Sequence, residues 1–113
     1  MINIEIANLQ SYLAENEDNK TLVLLSSEGC HHCGEFKTFL EGQEELFPDL
    51  TFVEVLVDIE TKPLFGPPVI PSIVGFEMSQ RVLEGAGMPE ELSAATALLQ
   101  AWVNGEGFQY SAG

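Results

Sequence analysis

Both cysteines and both histidines of the 113-residue chain fall in one tetrapeptide, Cys30-His31-His32-Cys33, within Ser27-Glu28-Gly29-Cys30-His31-His32-Cys33-Gly34. An apolar run, Thr21-Leu22-Val23-Leu24-Leu25, leads in, and a helix-like pattern through Phe36, Phe39 and Leu40 leads out. Two thiols at this spacing, between a buried strand and the first turn of a helix, point to dithiol–disulfide exchange. The attacking sulfur must be a thiolate, and an ordinary cysteine with a pKa of about 8.5 is mostly protonated at neutral pH. At a helix N-terminus, unpaired N–H groups and the helix dipole favour negative charge. Cys30 is therefore the expected nucleophile, and Cys33, one turn in, the thiol that resolves the mixed disulfide.

His31 and His32 are expected to tune the pair. An imidazole beside the thiolate donates a hydrogen bond or carries charge, which stabilises the reduced form and makes the disulfide more oxidising. Glu28, Glu35 and the overall negative field oppose this. Local hydrogen bonds outweigh screened surface charge, so net stabilisation of the thiolate is expected. Competing readings remain. The same spacing makes half of many zinc sites, yet zinc wants four ligands in a tetrahedron. Four candidates within four residues are too cramped for one ion, so a metal or iron–sulfur site would require a dimer. No metal and no cofactor beyond the Cys30–Cys33 disulfide is expected. The histidines could instead be solvent-facing helix residues, His31 more readily than His32.

The surrounding elements read in order as follows. Ile2, Ile4 and Ile6 alternate like a short edge strand, and Leu9, Tyr12 and Leu13 repeat at helical spacing. Thr21–Ser26 has no polar alternation, as expected of a central strand buried on both faces. A helix is predicted from His31 to Phe47, with Phe36, Phe39, Leu40, Gln43 and Leu46 mostly on one side and Pro48 ending it. Leu50–Ile59 reads as a second doubly buried strand, and strand–helix–strand implies a parallel, right-handed crossover. A proline-rich segment, 61–72, precedes a hairpin, Ile73–Glu77 and Arg81–Glu84, that Gly85-Ala86-Gly87 breaks. Pro89-Glu90-Glu91 suits a helix start, with Leu92, Ala95, Leu99 and Trp102 as its apolar stripe and Gly105 and Gly107 ending it. One domain over 1–107 is expected, with a frayed tail at 108–113.

Eighteen acids against four Lys and Arg give a net charge of −14. Such a surface repels phosphate backbones, which excludes nucleic acid as a partner class, and favours partners with basic patches; solubility or adaptation to salt would also account for it. No apolar run approaches the roughly 18 residues of a membrane span, so no membrane partner is expected. Met1–Ile6 lacks the basic start, apolar core and cleavage site of a secretory signal, so a cytoplasmic location is expected. There, paired cysteines are more often catalytic or metal-binding than structural.

The whole pattern resembles the thioredoxin-like superfamily over nearly the full chain. Cys30-His31-His32-Cys33 follows the central strand, and Ile70-Pro71-Ser72 resembles the family's cis-proline motif ahead of the hairpin. Gly85 falls where thioredoxins place the glycine lining their substrate groove. The resemblance implies an α/β thioredoxin fold, a central mixed β-sheet of four or five strands flanked by helices on both faces. It also implies substrate-binding positions at Gly29, Ile70, Pro71 and Gly85, with Pro71 presenting Ile70's backbone to an extended substrate. Pro67 and Pro68 rival Pro71 for the cis bond; Pro71 is preferred because a strand follows it directly.

Departures are informative. Gly29 stands where the family carries Trp, Leu24 at its buried Asp, and Glu54 at the lysine opposite, which makes Glu54 a candidate proton acceptor. A histidine between the cysteines resembles oxidant and isomerase members with Cys-Gly-His-Cys or Cys-Pro-His-Cys. The function implied is a monomeric protein-disulfide oxidoreductase acting on protein thiols and disulfides, recycled by a reductase or glutathione. The alternatives are a non-enzymatic thioredoxin-like assembly module and a glutathione-dependent glutaredoxin-like protein, the latter faintly echoed by Gly85-Ala86-Gly87.

Overall fold

The computed structural model describes residues 1–57, 69–78, 80–105 and 110–111. In chain order the elements are β1 (Ile2–Asn3), α1 (Ile6–Glu15), β2 (Lys20–Ser26), α2 (His31–Gln43), β3 (Leu50–Leu56), β4 (Ser72–Glu77), β5 (Gln80–Ala86), α3 (Ser93–Val103) and β6 (Tyr110–Ser111). They build one mixed sheet in the order β1-β3-β2-β4-β5-β6. β1, β3 and β2 run parallel, β4 runs antiparallel to both β2 and β5, and β6 lies parallel to β5. Four strands of six or seven residues form the body, and two-residue strands extend each edge.

β2 is central because every residue from Thr21 to Ser26 is apolar or small, and all six are buried. Side chains alternate between faces of a strand. Leu22 and Leu24 meet Phe36 and Leu40 of α2 and Leu98, Leu99 and Trp102 of α3 on one face. Val23 and Leu25 join Val53, Val55 and Val74 against Leu9 and Leu13 of α1 on the other. Helices thus cover both faces, as expected. Trp102 is core: its ring lies over Gly75, where a Cβ would stand 2.9 Å from Cη2 of Trp102 and 3.0 Å from Cβ of Leu83.

Several boundaries differ from the sequence reading. α2 stops at Gln43, four residues short of Phe47; the N–H groups of Leu46 and Phe47 both reach the Gln43 carbonyl, which closes the end as a turn. Phe47 still turns inward, whereas Leu46 is 65% exposed. β3 ends at Leu56, which is 54% exposed at the end of its pairing with β2; Asp58 and Ile59 lie outside the described residues. Gly85 and Ala86 do not break the hairpin: β5 runs through them because β4 offers Ile73 and Ser72 as partners. α3 begins at Ser93, with bonds from Ala94 to Glu91 and Ala95 to Leu92, so Glu91 and Leu92 form a lead-in turn and Pro89 lies ahead of it. Tyr110 and Ser111, expected in a frayed tail, pair with Gly85 and Ala86, using backbone groups that an edge strand otherwise leaves open. Pro67 and Pro68 lie outside the described residues.

Gly75→Ala is expected to cost about 1–3 kcal/mol by overpacking a filled site, read as a lower urea midpoint with unchanged slope.

Candidate active site

The central strand delivers the cysteines. β2 ends at Ser26, and a turn closed by the Cys30 N–H on the Ser27 carbonyl (3.4 Å) carries the chain into α2. Gly29 makes that turn with φ +75°, a left-handed conformation that suits glycine, and a Cβ there would meet no atom within 4 Å. Cys30 is the N-cap residue, extended at φ −82° and ψ 111°. Its Sγ accepts a hydrogen bond from the Cys33 N–H at 3.2 Å, so a sulfur does the work that an Asp or Ser oxygen does at an ordinary cap. Cys30 and Cys33 form a disulfide with their Cα atoms 5.3 Å apart. Cys33 is buried at 5% exposure while Cys30 is half-buried, so an incoming thiol has access to Cys30.

Both histidines face solvent, with side chains 83% and 64% exposed for His31 and His32. Their rings meet edge-on with centroids 5.4 Å apart. Glu35 lies beside both, its Oε1 3.0 Å from His31 Nε2 and its Oε2 3.9 Å from His32 Nδ1.

Sheet register brings the second segment to the same end. Leu25 pairs with Ser72, so β4 starts where β2 finishes, and the Ile70–Pro71 peptide that precedes it is cis. Pro71 is buried, Ile70 half-buried and Val69 exposed. The Ser72 hydroxyl fixes this corner, donating to the Val69 carbonyl and accepting from the Gly87 N–H at 3.1 Å. Gly85 lies at this end of the sheet too, buried between Ile73 of β4 and residue 110 of β6. The sequence reading assigned Ser72 no role; its place directly after Pro71, at the head of a buried strand, was the available signal.

Glu54 pairs in register with Leu24, the facing position that the resemblance implies. With Phe52 in the α2-side cluster, alternation puts Glu54 on that same face. Its carboxylate accepts from the Ser26 hydroxyl at 3.0 Å and meets Lys37 Nζ at 3.1 Å, with 12% of the side chain exposed. Lys37 lies one turn beyond Cys33 on α2, so the ion pair and the inner cysteine share one side of the helix. Sequence reasoning did not single out Ser26 or Lys37. The signals were a hydroxyl closing an otherwise apolar strand and a lysine four residues after Cys33. Among the described residues, no three His, Cys, Asp or Glu side chains converge to hold a metal ion.

No protein-family model and no curated protein sequence matches the chain. Solved structures do. Thioredoxin f2 of Chlamydomonas reinhardtii superposes with a TM-score of 0.76 at 18% identity, covering 90% of this chain and 95% of that one. A thioredoxin of Fasciola hepatica gives 0.73 at 17%, covering 88% and 97%, and one of Plasmodium falciparum 0.73 at 18%, covering 90% and 99%. Thioredoxin f2 in a complex with ferredoxin:thioredoxin reductase gives 0.78 at 15%, covering 90% and 94%. The chain has the thioredoxin fold.

Gly29→Ala forces a side chain into the left-handed region with no clash to relieve. It is expected to cost about 1–2 kcal/mol, measured by denaturant unfolding of the oxidised protein.

Proposed function

We propose that the chain is a thiol–disulfide oxidoreductase for protein substrates, with Cys30 attacking and Cys33 resolving. The observation that carries this reading is the Cys30 sulfur at the N-cap of α2, hydrogen-bonded by the Cys33 N–H, with Cys33 buried beneath it. The bond that holds the sulfur in the disulfide is also suited to a thiolate, since charge-assisted hydrogen bonds are the stronger kind.

The reaction runs in two displacements. In the reduced protein the Cys30 thiolate attacks one sulfur of a substrate disulfide; that S–S bond breaks, a mixed disulfide forms and the first substrate thiolate leaves. Cys33 then loses its proton and attacks Cys30 Sγ, which expels the second substrate thiolate and closes the Cys30–Cys33 disulfide. Two electrons pass to the substrate. Glu54 is the proposed acceptor of the Cys33 proton, and Lys37 and Ser26 hold its carboxylate in place. Ile70, held by cis-Pro71, offers backbone N–H and C=O groups to an extended substrate segment. Gly29 leaves the approach to Cys30 open, Gly85 completes the same end of the sheet, and the histidines set the poise of the pair.

A dithiol reductant must return the electrons, and the complex of the structurally similar thioredoxin f2 with a reductase supports that class of recycling partner. The charge of −14 favours partners that present basic surfaces around their disulfides, and it disfavours the anionic tripeptide glutathione as the principal substrate. A reducing, cytoplasmic setting suits the reductant direction.

Cys30→Ser is expected to abolish insulin reduction by a dithiothreitol-recycled protein, whereas Cys33→Ser accumulates mixed disulfides that resist washing and release with reductant. If the wild type leaves insulin intact and Cys33→Ser traps no partner, the reading fails. Glu54→Gln is expected to slow turnover on the order of a hundredfold, the lower end of what a positioned general base contributes. Trapping by Cys33→Ser should stay the same in the Glu54→Gln background, because the first displacement does not use that base.

A further inference from the structure

We propose that Glu35 is a positioning residue that restrains the oxidising power of the Cys30–Cys33 disulfide by withholding the neighbouring imidazoles from the Cys30 sulfur. The inference rests on the exchange reading above and adds to it the group that governs the histidines.

Glu35 stands four residues after His31 and three after His32, the two spacings at which helical side chains meet. Each carboxylate oxygen faces one ring, at 3.0 Å from His31 Nε2 and 3.9 Å from His32 Nδ1. A neutral imidazole has a single N–H. In the neutral ring, a carboxylate 3.0 Å from Nε2 favours the tautomer with its hydrogen on Nε2, which leaves Nδ1 of His31 a lone pair. Such a ring gives the adjacent sulfur no donor. His32 stands at ion-pair range of the other oxygen, so its favourable interaction is likewise shared with Glu35.

The consequence is redox-selective. The disulfide carries no charge, whereas the attacking form of the reduced pair carries a thiolate at Cys30. A donor that reaches the sulfur stabilises the reduced form alone and raises the reduction potential. Glu35 competes for that donor and lowers the potential, keeping the protein nearer the reductant end than its two histidines imply. The balance is that of an ordinary exchange: the Cys30–Cys33 disulfide and two glutathione thiols give the dithiol and glutathione disulfide.

All three side chains are more than half exposed, so solvent weakens the effect. Exposed pairs of this kind correspond to about a two- to fivefold change in equilibrium constant, or about 9–21 mV for a two-electron couple.

The experiment equilibrates the wild type, Glu35→Gln, His31→Ala/His32→Ala and the triple variant in glutathione buffers at pH 7 and low salt. Dithiothreitol buffers extend the range so that every variant has a midpoint, and the reduced fraction is counted by thiol alkylation. Glu35→Gln is expected to favour the dithiol two- to fivefold, and the same substitution is expected to give a clearly smaller shift, that of the direct field alone, once both histidines are alanine. Two results overturn the proposal: no shift in Glu35→Gln, or an equal shift without the histidines, which would mean a direct field from the carboxylate. Failure of the wild type to reduce insulin while these midpoints shift as stated would count against the protein-substrate reading and leave the role of Glu35 standing.

Discussion

The candidate site turns on the hydrogen bond between the Cys33 N–H and the Cys30 sulfur. It exists because a strand buried on both faces ends at Ser26 and a helix must start five residues later, at His31. The strand's position is set by hydrophobic burial over Thr21–Ser26. The helix's position is set by Phe36 and Leu40, which seat α2 against Leu22 and Leu24. Between these two anchors Gly29 supplies the left-handed turn, and the Cys33 N–H in the first turn of the helix is left pointing at a sulfur. Packing far from the thiols therefore fixes their geometry.

The electrostatics divide into two layers. Around the mouth of α2 the polar side chains are exposed, His31, His32 and Glu35 among them, and water weakens their effects. Beneath the helix, Glu54 sits largely out of solvent with a hydroxyl and an ammonium already bound to it. Burying a carboxylate is costly unless it is paired, and Lys37 is that pair, one of just four Lys and Arg in the chain. Glu54 stands on β3 rather than on the central strand, where Leu24 occupies the facing position. The central strand keeps an uninterrupted apolar core through Leu25, and the carboxylate stands on its neighbour.

Much of this was legible in the sequence because it followed from periodicity. The unbroken apolar run of β2 and the two short runs of the hairpin each have one dominant physical reading, while the Cys-x-x-Cys pair at a strand–helix junction narrowed the chemistry without deciding it. The side chains around Glu54 were less so. Ser26, Lys37 and Glu54 are 11 to 28 residues apart, and only the parallel register of β2 with β3 beneath α2 brings them together. The end of α2 was misplaced for a related reason: Phe47 is buried like a helix residue but reaches the core from a turn. The short strand β6 had no signal, since two residues of backbone pairing leave no pattern.

A helix capped by sulfur has a start whose strength depends on the oxidation state of that sulfur. Disulfide sulfur is a weak acceptor and thiolate sulfur a strong one, so oxidation loosens the first turn of α2 and reduction to the thiolate tightens it. By the thermodynamic cycle joining oxidation to unfolding, any free energy by which this capping contact favours the thiolate appears twice, once as resistance of the reduced protein to melting and once as readiness of the disulfide to accept electrons. Conformational stability and electron affinity are in this respect two measurements of one contact.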